Sequence, residues 1–233
     1  MYINLHSSGS HGNLYTIHDG KSGIVIDPGL PIAAIKKKIG FRLSDFNSCL
    51  ISHYHKDHCK GIDGIIRNGI DCFASMETIE TCNISGHRVH AMNIKKTYHM
   101  DSFAVMAFET QHDCPGSIGF LIKSKYTGKK LLYATDTYYL KYKFKDINYF
   151  MIECNYSHDI LMENLADGTI DPARKDRILS SHFSLENLKK FFLENDLSKC
   201  EQIYLIHISS QNGDPGLFKH EIRKVTGKPV VSI

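Results

Sequence analysis

The sequence predicts an α+β protein built as two β-sheets packed face to face, with helices on the outside. Three observations predict it. Short β-rich runs lead into helix-patterned stretches in two successive blocks, without the regular strand–helix alternation of a single parallel sheet. No linker, low-complexity tract or short-period repeat interrupts the 233 residues, so residues 1–233 read as one domain in two halves, roughly 1–110 and 111–233. A hydrophobic share of 42% and a charged share of 23% are those of an ordinary globular protein, which sets aside disordered and membrane-embedded classes.

The elements follow in order. "YINL", "NLYTIHD" and "GIVIDPG" are short β-prone runs bounded by Gly, Ser, Asn and Asp, and read as strands joined by tight turns. "LPIAAIKKKIG" carries apolar residues on one face and lysines on the other, the pattern of a short amphipathic helix. "FNSCLIS" is a buried strand. A helix is expected near "CKGIDGIIRNG", a strand at "IDCFAS" and a helix near "METIETCNI". The second block opens with four strands, "SFAVMAFET", "SIGFLIKS", "KKLLYATD" and "NYFMIECN". Helices follow at "SHDILMENLADG", "SLENLKKFFLEN" and "PGLFKHEIRKVTG", with the strand "EQIYLIH" between the last two. The final helix has Asp214 to cap it, Pro215 at its first position and Gly227 just past its end.

Composition narrows the setting. No apolar run approaches the roughly 20 residues that span a bilayer, so no membrane partner is expected. The opening "MYINLHSSGSHG" has neither a basic n-region nor an apolar h-region. Seven cysteines are scattered singly, with no CxxC pair, which fits reduced thiols in a cytoplasmic protein. Net charge is only +3, but lysines and arginines cluster at 36–38, 95–96, 123–130, 141–145 and 174–177, a distribution that permits a polyanionic substrate. Histidine is the outlier, at fourteen residues.

That excess concentrates in "ISHYHKDHCKG". Directly after a buried strand, near-extended backbone would point residues two apart the same way, so His53 and His55 could reach one metal together. Asp57 and His58 could turn toward a second ion. Imidazole and carboxylate donors suit zinc, iron and manganese, and the absence of thiolates disfavours a closed structural zinc site. A single histidine here would be read as a polar loop residue; four such donors in six positions would not. Further ligands should arrive at other strand ends, and three do: His112 after "SFAVMAFET", Asp136 after "KKLLYAT" and His207 after "EQIYLI". Singly these read as a loop histidine, a turn former and a semi-buried strand end. Their shared position makes them candidates.

The run His53-Tyr54-His55-Lys56-Asp57-His58 is similar to the HxHxDH signature of the metallo-β-lactamase fold superfamily, and His112, Asp136 and His207 follow in that family's order. The resemblance spans almost the whole chain. It implies an αββα sandwich and a dinuclear site, with His53, His55 and His112 on one ion, Asp57, His58 and His207 on the other, and Asp136 bridging. "SSGSHGN", "QHDCPGSIGF", "YATDT", "IECNYSHD", "SHFSLEN" and "IHISSQNGD" further resemble the motif series of the YycJ/WalJ-type bacterial members, which are associated with 5′-to-3′ DNA exonuclease activity.

The implied cofactors are two divalent ions, zinc first and manganese second, and the implied partner is a nucleic acid, DNA, as substrate. The implied reaction is phosphodiester hydrolysis with a metal-bridging hydroxide as nucleophile. Asp57 would both ligate and orient that nucleophile. His182, just ahead of a helix start whose free N–H groups attract anions, is the candidate general acid or phosphate contact. Asp27, at the end of "GIVID", is either a turn residue or a brace for a ligating imidazole, and "SSGSHGN" is either a glycine-permitted turn or a segment whose Ser8, Ser10 and Asn13 brace the metal pocket or donate to a phosphate. The fold also hosts glyoxalase II-like thioesterases, lactonases and processing ribonucleases, which remain as alternatives.

Overall fold

Alternating and continuous apolar runs sort the strands. The computed structural model describes residues 1–233, which fall into two units: Met1–Glu109 with Cys114–Lys129, and Thr110–Asp113 with Lys130–Ile233. The first unit opens with β1 (Tyr2–Ser7), β2 (Leu14–His18) and β3 (Gly23–Ile26), paired antiparallel, with a bulge in β1 between Leu5 and Ser7. Then come α1 (Ile32–Lys38), β4 (Phe46–Leu50), α2 (Lys56–Cys59), α3 (Ile62–Arg67), β5 (Asp71–Ala74), α4 (Met76–Thr81) and β6 (Val89–Ala91). A 3₁₀ turn at Leu43–Asp45 leads into β4.

β3, β4, β5 and β6 run parallel, completing a six-stranded sheet in the order β1 to β6. Ile35, Ile62 and Ile65 from α1 and α3 join Val25, Cys49 and Cys72 from its strands in one apolar cluster. An antiparallel meander of β7 (Thr97–Met100), β8 (Phe103–Glu109) and β9 (Ile118–Ser124) ends the unit. Residues 114–129 belong with this unit because all seven residues of β9 are in register with β8, from Phe103↔Ser124 to Glu109↔Ile118. The Ile118 N–H also donates to the Ser52 carbonyl at 3.0 Å, which holds the start of β9 beside the end of β4.

The second unit holds β10 (Lys130–Ala134), β11 (Tyr149–Glu153), α5 (His158–Ala166), α6 (Pro172–Ser181), α7 (Leu185–Glu194), β12 (Gln202–Ile206), α8 (Pro215–Thr226) and β13 (Val230–Ser232). Its four strands are parallel neighbours. "LLYA", "FMIE" and "LI" are buried as continuous runs rather than alternating, as a parallel sheet covered on both faces requires. Phe150 packs edge-on against Phe192 of α7, their ring centroids 5.4 Å apart. α8 starts and stops on the expected signals: the Asp214 carboxylate accepts from the Gly216 and Leu217 N–H groups, and Gly227 closes it at φ 64°.

The sequence reading missed α2, β6, β7, α6 and β13. No helix is long and apolar enough to cross a membrane. All seven cysteines are free, and six of them are buried.

Candidate metal centre

In the first unit the donors sit at the carboxyl ends of parallel β3 and β4, whose last residues Ile26 and Leu50 are in register. Asp27 follows β3, and Ser52 and His53 follow β4. The backbone stays extended only as far as His55 (ψ 141°); α2 then begins at Lys56, so Asp57 and His58 lie in its first turn rather than in a loop. His53 Nε2 and His55 Nδ1 converge to 3.1 Å, and His58 Nε2 lies 3.3 Å from Asp57 Oδ2.

The other ring nitrogens are held from behind. His58 Nδ1–H donates to Asp27 Oδ2 at 2.8 Å, and His53 Nδ1 lies 3.0 Å from Ser52 Oγ. Asp27 is fully buried and also accepts from the Ser52 backbone N–H and hydroxyl, so one carboxylate positions the chain on both sides of the histidine run. Of the two readings open for Asp27, the brace is the one present. Asn13 completes this layer: its amide oxygen accepts from the Gly9 N–H and the Tyr15 hydroxyl, which turns Nδ2 toward Asp57 and His58 Nε2, the latter at 3.0 Å. Ser8 takes part through the Tyr15 hydroxyl at 2.8 Å, whereas Ser10 is exposed beside His11.

One donor contradicts the expected absence of thiolates. The Cys114 sulfur lies within 4.8 Å of the ligating nitrogens of His53 and His55. Nothing in "QHDCPGS" marks it as other than a core thiol; the Ile118–Ser52 hydrogen bond is what brings that segment back to the end of β4.

In the second unit the carboxyl edge again carries the chemistry. β10, β11 and β12 end in register, and Asp136, Glu153 and His207 stand at those ends. Asp136 and His207 adopt left-handed backbone, at φ 47° and 53°, as Asp27 does at 49° in the first unit. Such conformations cost an L residue on the order of 1–3 kcal/mol and persist where surrounding contacts enforce them.

The two Asp136 oxygens face different imidazoles: Oδ1 is 3.0 Å from His207 Nδ1, and Oδ2 is 3.6 Å from His112 Nε2. His112 Nδ1–H donates to the Ser181 carbonyl at 3.0 Å, while Nε2 faces Asp136 and, at 3.2 Å, Asp113 Oδ1. Ligating atoms of Asp136, Glu153, His182 and His207 lie within 4.8 Å of one another.

Glu153 is the residue that sequence reasoning did not single out. It is fully buried, with Oε1 at 2.7 Å from His182 Nδ1 and 3.0 Å from His207 Nδ1, and Oε2 accepting from the Thr137 and Phe183 N–H groups. Burial alone would raise its carboxyl, but the charge and hydrogen bond of His182 bring it below the usual carboxylate value. Burial alone would likewise lower His182, yet Glu153 raises it above 6.5. Each of the two thus favours the charged form of the other. The only signal in the sequence was an acid at the end of "YFMIE", a position shared by many strand-end residues. Asn155, two residues on, donates from Nδ2 to the His207 carbonyl at 2.8 Å. His158 lies outside this group, exposed at the start of α5 and 3.7 Å from Glu186.

Each unit thus gathers nitrogen and oxygen donors of the kind divalent ions take, four of them from the histidine run in the first and His112, Asp136 and His207 in the second.

Comparison with known proteins bears on what these donors serve. A family model described as a β-lactamase superfamily domain matches residues 23–208. Exodeoxyribonuclease WalJ of Streptococcus pneumoniae is 27% identical over 225 residues, covering 88% of this chain and 81% of its own. Exodeoxyribonuclease YycJ of Bacillus anthracis is 24% identical over 240 residues, covering 97% and 89%. Among solved structures, the metallo-β-lactamase fold protein YhfI from Bacillus subtilis superposes with a TM-score of 0.74 at 14% identity, covering 99% of this chain and 95% of that one. The fold expected from the sequence, two mixed β-sheets with helices, is the one shared with it.

Proposed function

The chain belongs to the β-lactamase superfamily domain family, and from that premise we propose that it is a two-metal phosphodiesterase that degrades DNA from the 5′ end. The observation that carries the reading is the complete donor set. His53, His55, His112, Asp57, His58, Asp136 and His207 are all present, and a carboxylate holds the far nitrogen of His58 in one unit as a carbonyl holds that of His112 in the other. DNA as substrate is supported by the relatives named exodeoxyribonucleases.

In this reading His53, His55 and His112 hold one divalent ion, and Asp57, His58 and His207 the other. Asp136 would serve both, its two oxygens facing different imidazoles. Zinc is the first choice of metal, and a sulfur beside His53 and His55 favours it over manganese. When bound, two such ions supply Lewis-acid polarisation of the phosphodiester and an acidified water.

The chain's own groups do the rest. Asp57 would both ligate and orient the attacking water. His182, hydrogen-bonded to Glu153 at 2.7 Å, would donate a proton from its other ring nitrogen to the leaving oxygen, or contact the phosphate, with α7 starting three residues on. Asp27, Ser52, Asn13 and Glu153 keep the ligating nitrogens aimed. Seven free cysteines fit a reducing, cytoplasmic setting.

The test is to supply zinc or manganese to metal-stripped protein and offer, in parallel, end-labelled single- and double-stranded DNA, a glutathione thioester and a lactone. DNA cleavage that disappears in the Asp57→Ala, His58→Ala protein supports the reading. Thioester or lactone turnover with intact DNA contradicts it.

A further inference from the structure

The second unit carries a cleft of about 270 Å³ walled by the irregular segment 138–143 and by α7. Tyr138 and Tyr139 line it while exposing 39% and 55% of their surface, so these rings are not core. Phe183 and Phe191 line it too, and are buried. Three lysines, Lys141, Lys143 and Lys190, face it against a single acid, Glu194, which sits 3.8 Å from the Lys143 ammonium. Aromatic faces with an excess of positive charge are the two components that bind single-stranded nucleic acid without regard to sequence.

The cleft is tied to the candidate centre by one side chain. The Thr137 N–H, at the head of one wall, and the Phe183 N–H, at the head of the other, both donate to Glu153 Oε2, at 3.0 and 3.1 Å. Glu153 Oε1 holds His182 and His207. The walls therefore start from the carboxylate that positions the proposed proton donor.

We propose that this cleft is a nucleotide subsite. One base of the substrate strand, adjacent to the phosphodiester being cut, stacks on Tyr139, the more exposed ring, and Lys141 and Lys190 meet the flanking phosphates. The assignment rests on the phosphodiesterase reading, which names the strand, but its own content is where and how the strand is gripped. Stacking explains why two large rings are kept at the surface, and because every base has a π-face it suits an enzyme that proceeds residue by residue through any sequence.

The chain has no tryptophan, so Tyr139→Trp places a single indole in the cleft. With metal-stripped protein and oligothymidylate, that indole's emission is expected to fall as a base stacks on it. The same label at Phe41→Trp, 76% exposed in the first unit, should not respond. Tyr139→Ala is expected to weaken oligonucleotide affinity at least about fivefold, the lower end of one base–aromatic stack, while Tyr139→Phe retains it. Lys141→Gln and Lys190→Gln should each reduce the slope of log affinity against log salt by about 0.7.

An unresponsive indole, unchanged affinity in Tyr139→Ala, or no binding of oligothymidylate at all overturns the proposal. Because these readouts need no metal, the two ideas fail separately. Cleavage with an unaffected indole removes the cleft alone; stacking and binding without cleavage under any metal remove the phosphodiesterase reading and leave a nucleic-acid site.

Discussion

At the scale of single residues, two buried carboxylates act through imidazoles that neighbour them. Asp27 fixes His58, and Glu153 fixes His182 and His207. Such groups set which nitrogen carries the lone pair, and losing one typically costs about 10–100-fold in metal affinity or activity. Glu153→Gln keeps the shape but removes the charge that raises His182. It is expected to lower kcat on DNA by about 10–100-fold while KM stays near the parent value, with the unfolding midpoint as a control on the fold. Asp27→Asn is expected to show its loss mainly as weaker retention of one of two metals, read by metal analysis after dialysis. If either variant matches the parent in both readouts, that carboxylate does not position the centre.

At the scale of elements, the histidine run is held by a close fit of backbone rather than by its own helix. α2 has only four residues. The Asn13 N–H donates to the Asp57 carbonyl at 2.7 Å, the Gly29 N–H to the Asn13 carbonyl at 2.8 Å, and the Gly61 N–H to the Pro28 carbonyl at 2.7 Å. A Cβ on Gly29 would fall on the Asp57 carbonyl group. Gly29→Ala must therefore push α2 away, and is expected to cost about 1–3 kcal/mol of stability and to weaken metal binding with it. Calorimetry with and without metal checks this; an unchanged apo midpoint with full metal affinity would contradict the account.

The same scale shows what was legible in the sequence. HxHxDH, His112, Asp136 and His207 stood out because each follows an apolar strand, and most strands read correctly because the burial pattern and the hydrophobic pattern coincide. α6, "PARKDRILSS", was missed because only Ser181 of it is buried, so it has no apolar stripe to detect. β7 and β13 are short and partly exposed, and β6 has no fully buried residue. Glu153 and Cys114 were missed for another reason: their roles come from what the fold brings next to them, and neither spacing nor residue type announces that.

At the scale of the whole molecule, acid stability has an identifiable source in the first unit. Asp19, in the turn between β2 and β3, accepts from the Ser124 hydroxyl at 2.6 Å and from the Lys21 and Ser22 N–H groups at 3.0 and 3.1 Å. Burial alone would raise its carboxyl; these bonds outweigh that and hold it at about 2, below the usual 3.8. A carboxyl lowered in the folded state contributes stability that is present above its unfolded value and disappears as pH falls through the folded one. Between about pH 4 and 2 the parent should therefore lose stability more steeply than Asp19→Asn, in urea unfolding at a series of pH values. Parallel acid limbs for the two proteins would show that Asp19 is not a source of the acid sensitivity.

The central proposal concerns the whole chain: that it is a two-metal phosphodiesterase cutting DNA from its 5′ end. The most direct measurement is the time course of products from a duplex labelled at its 5′ ends, using protein reconstituted with a counted number of zinc or manganese ions. The account predicts release of the label as a mononucleotide from the earliest times, with full rate reached at two ions per chain. Label retained on shortened or internally cut strands, or full activity at a single ion, would contradict it.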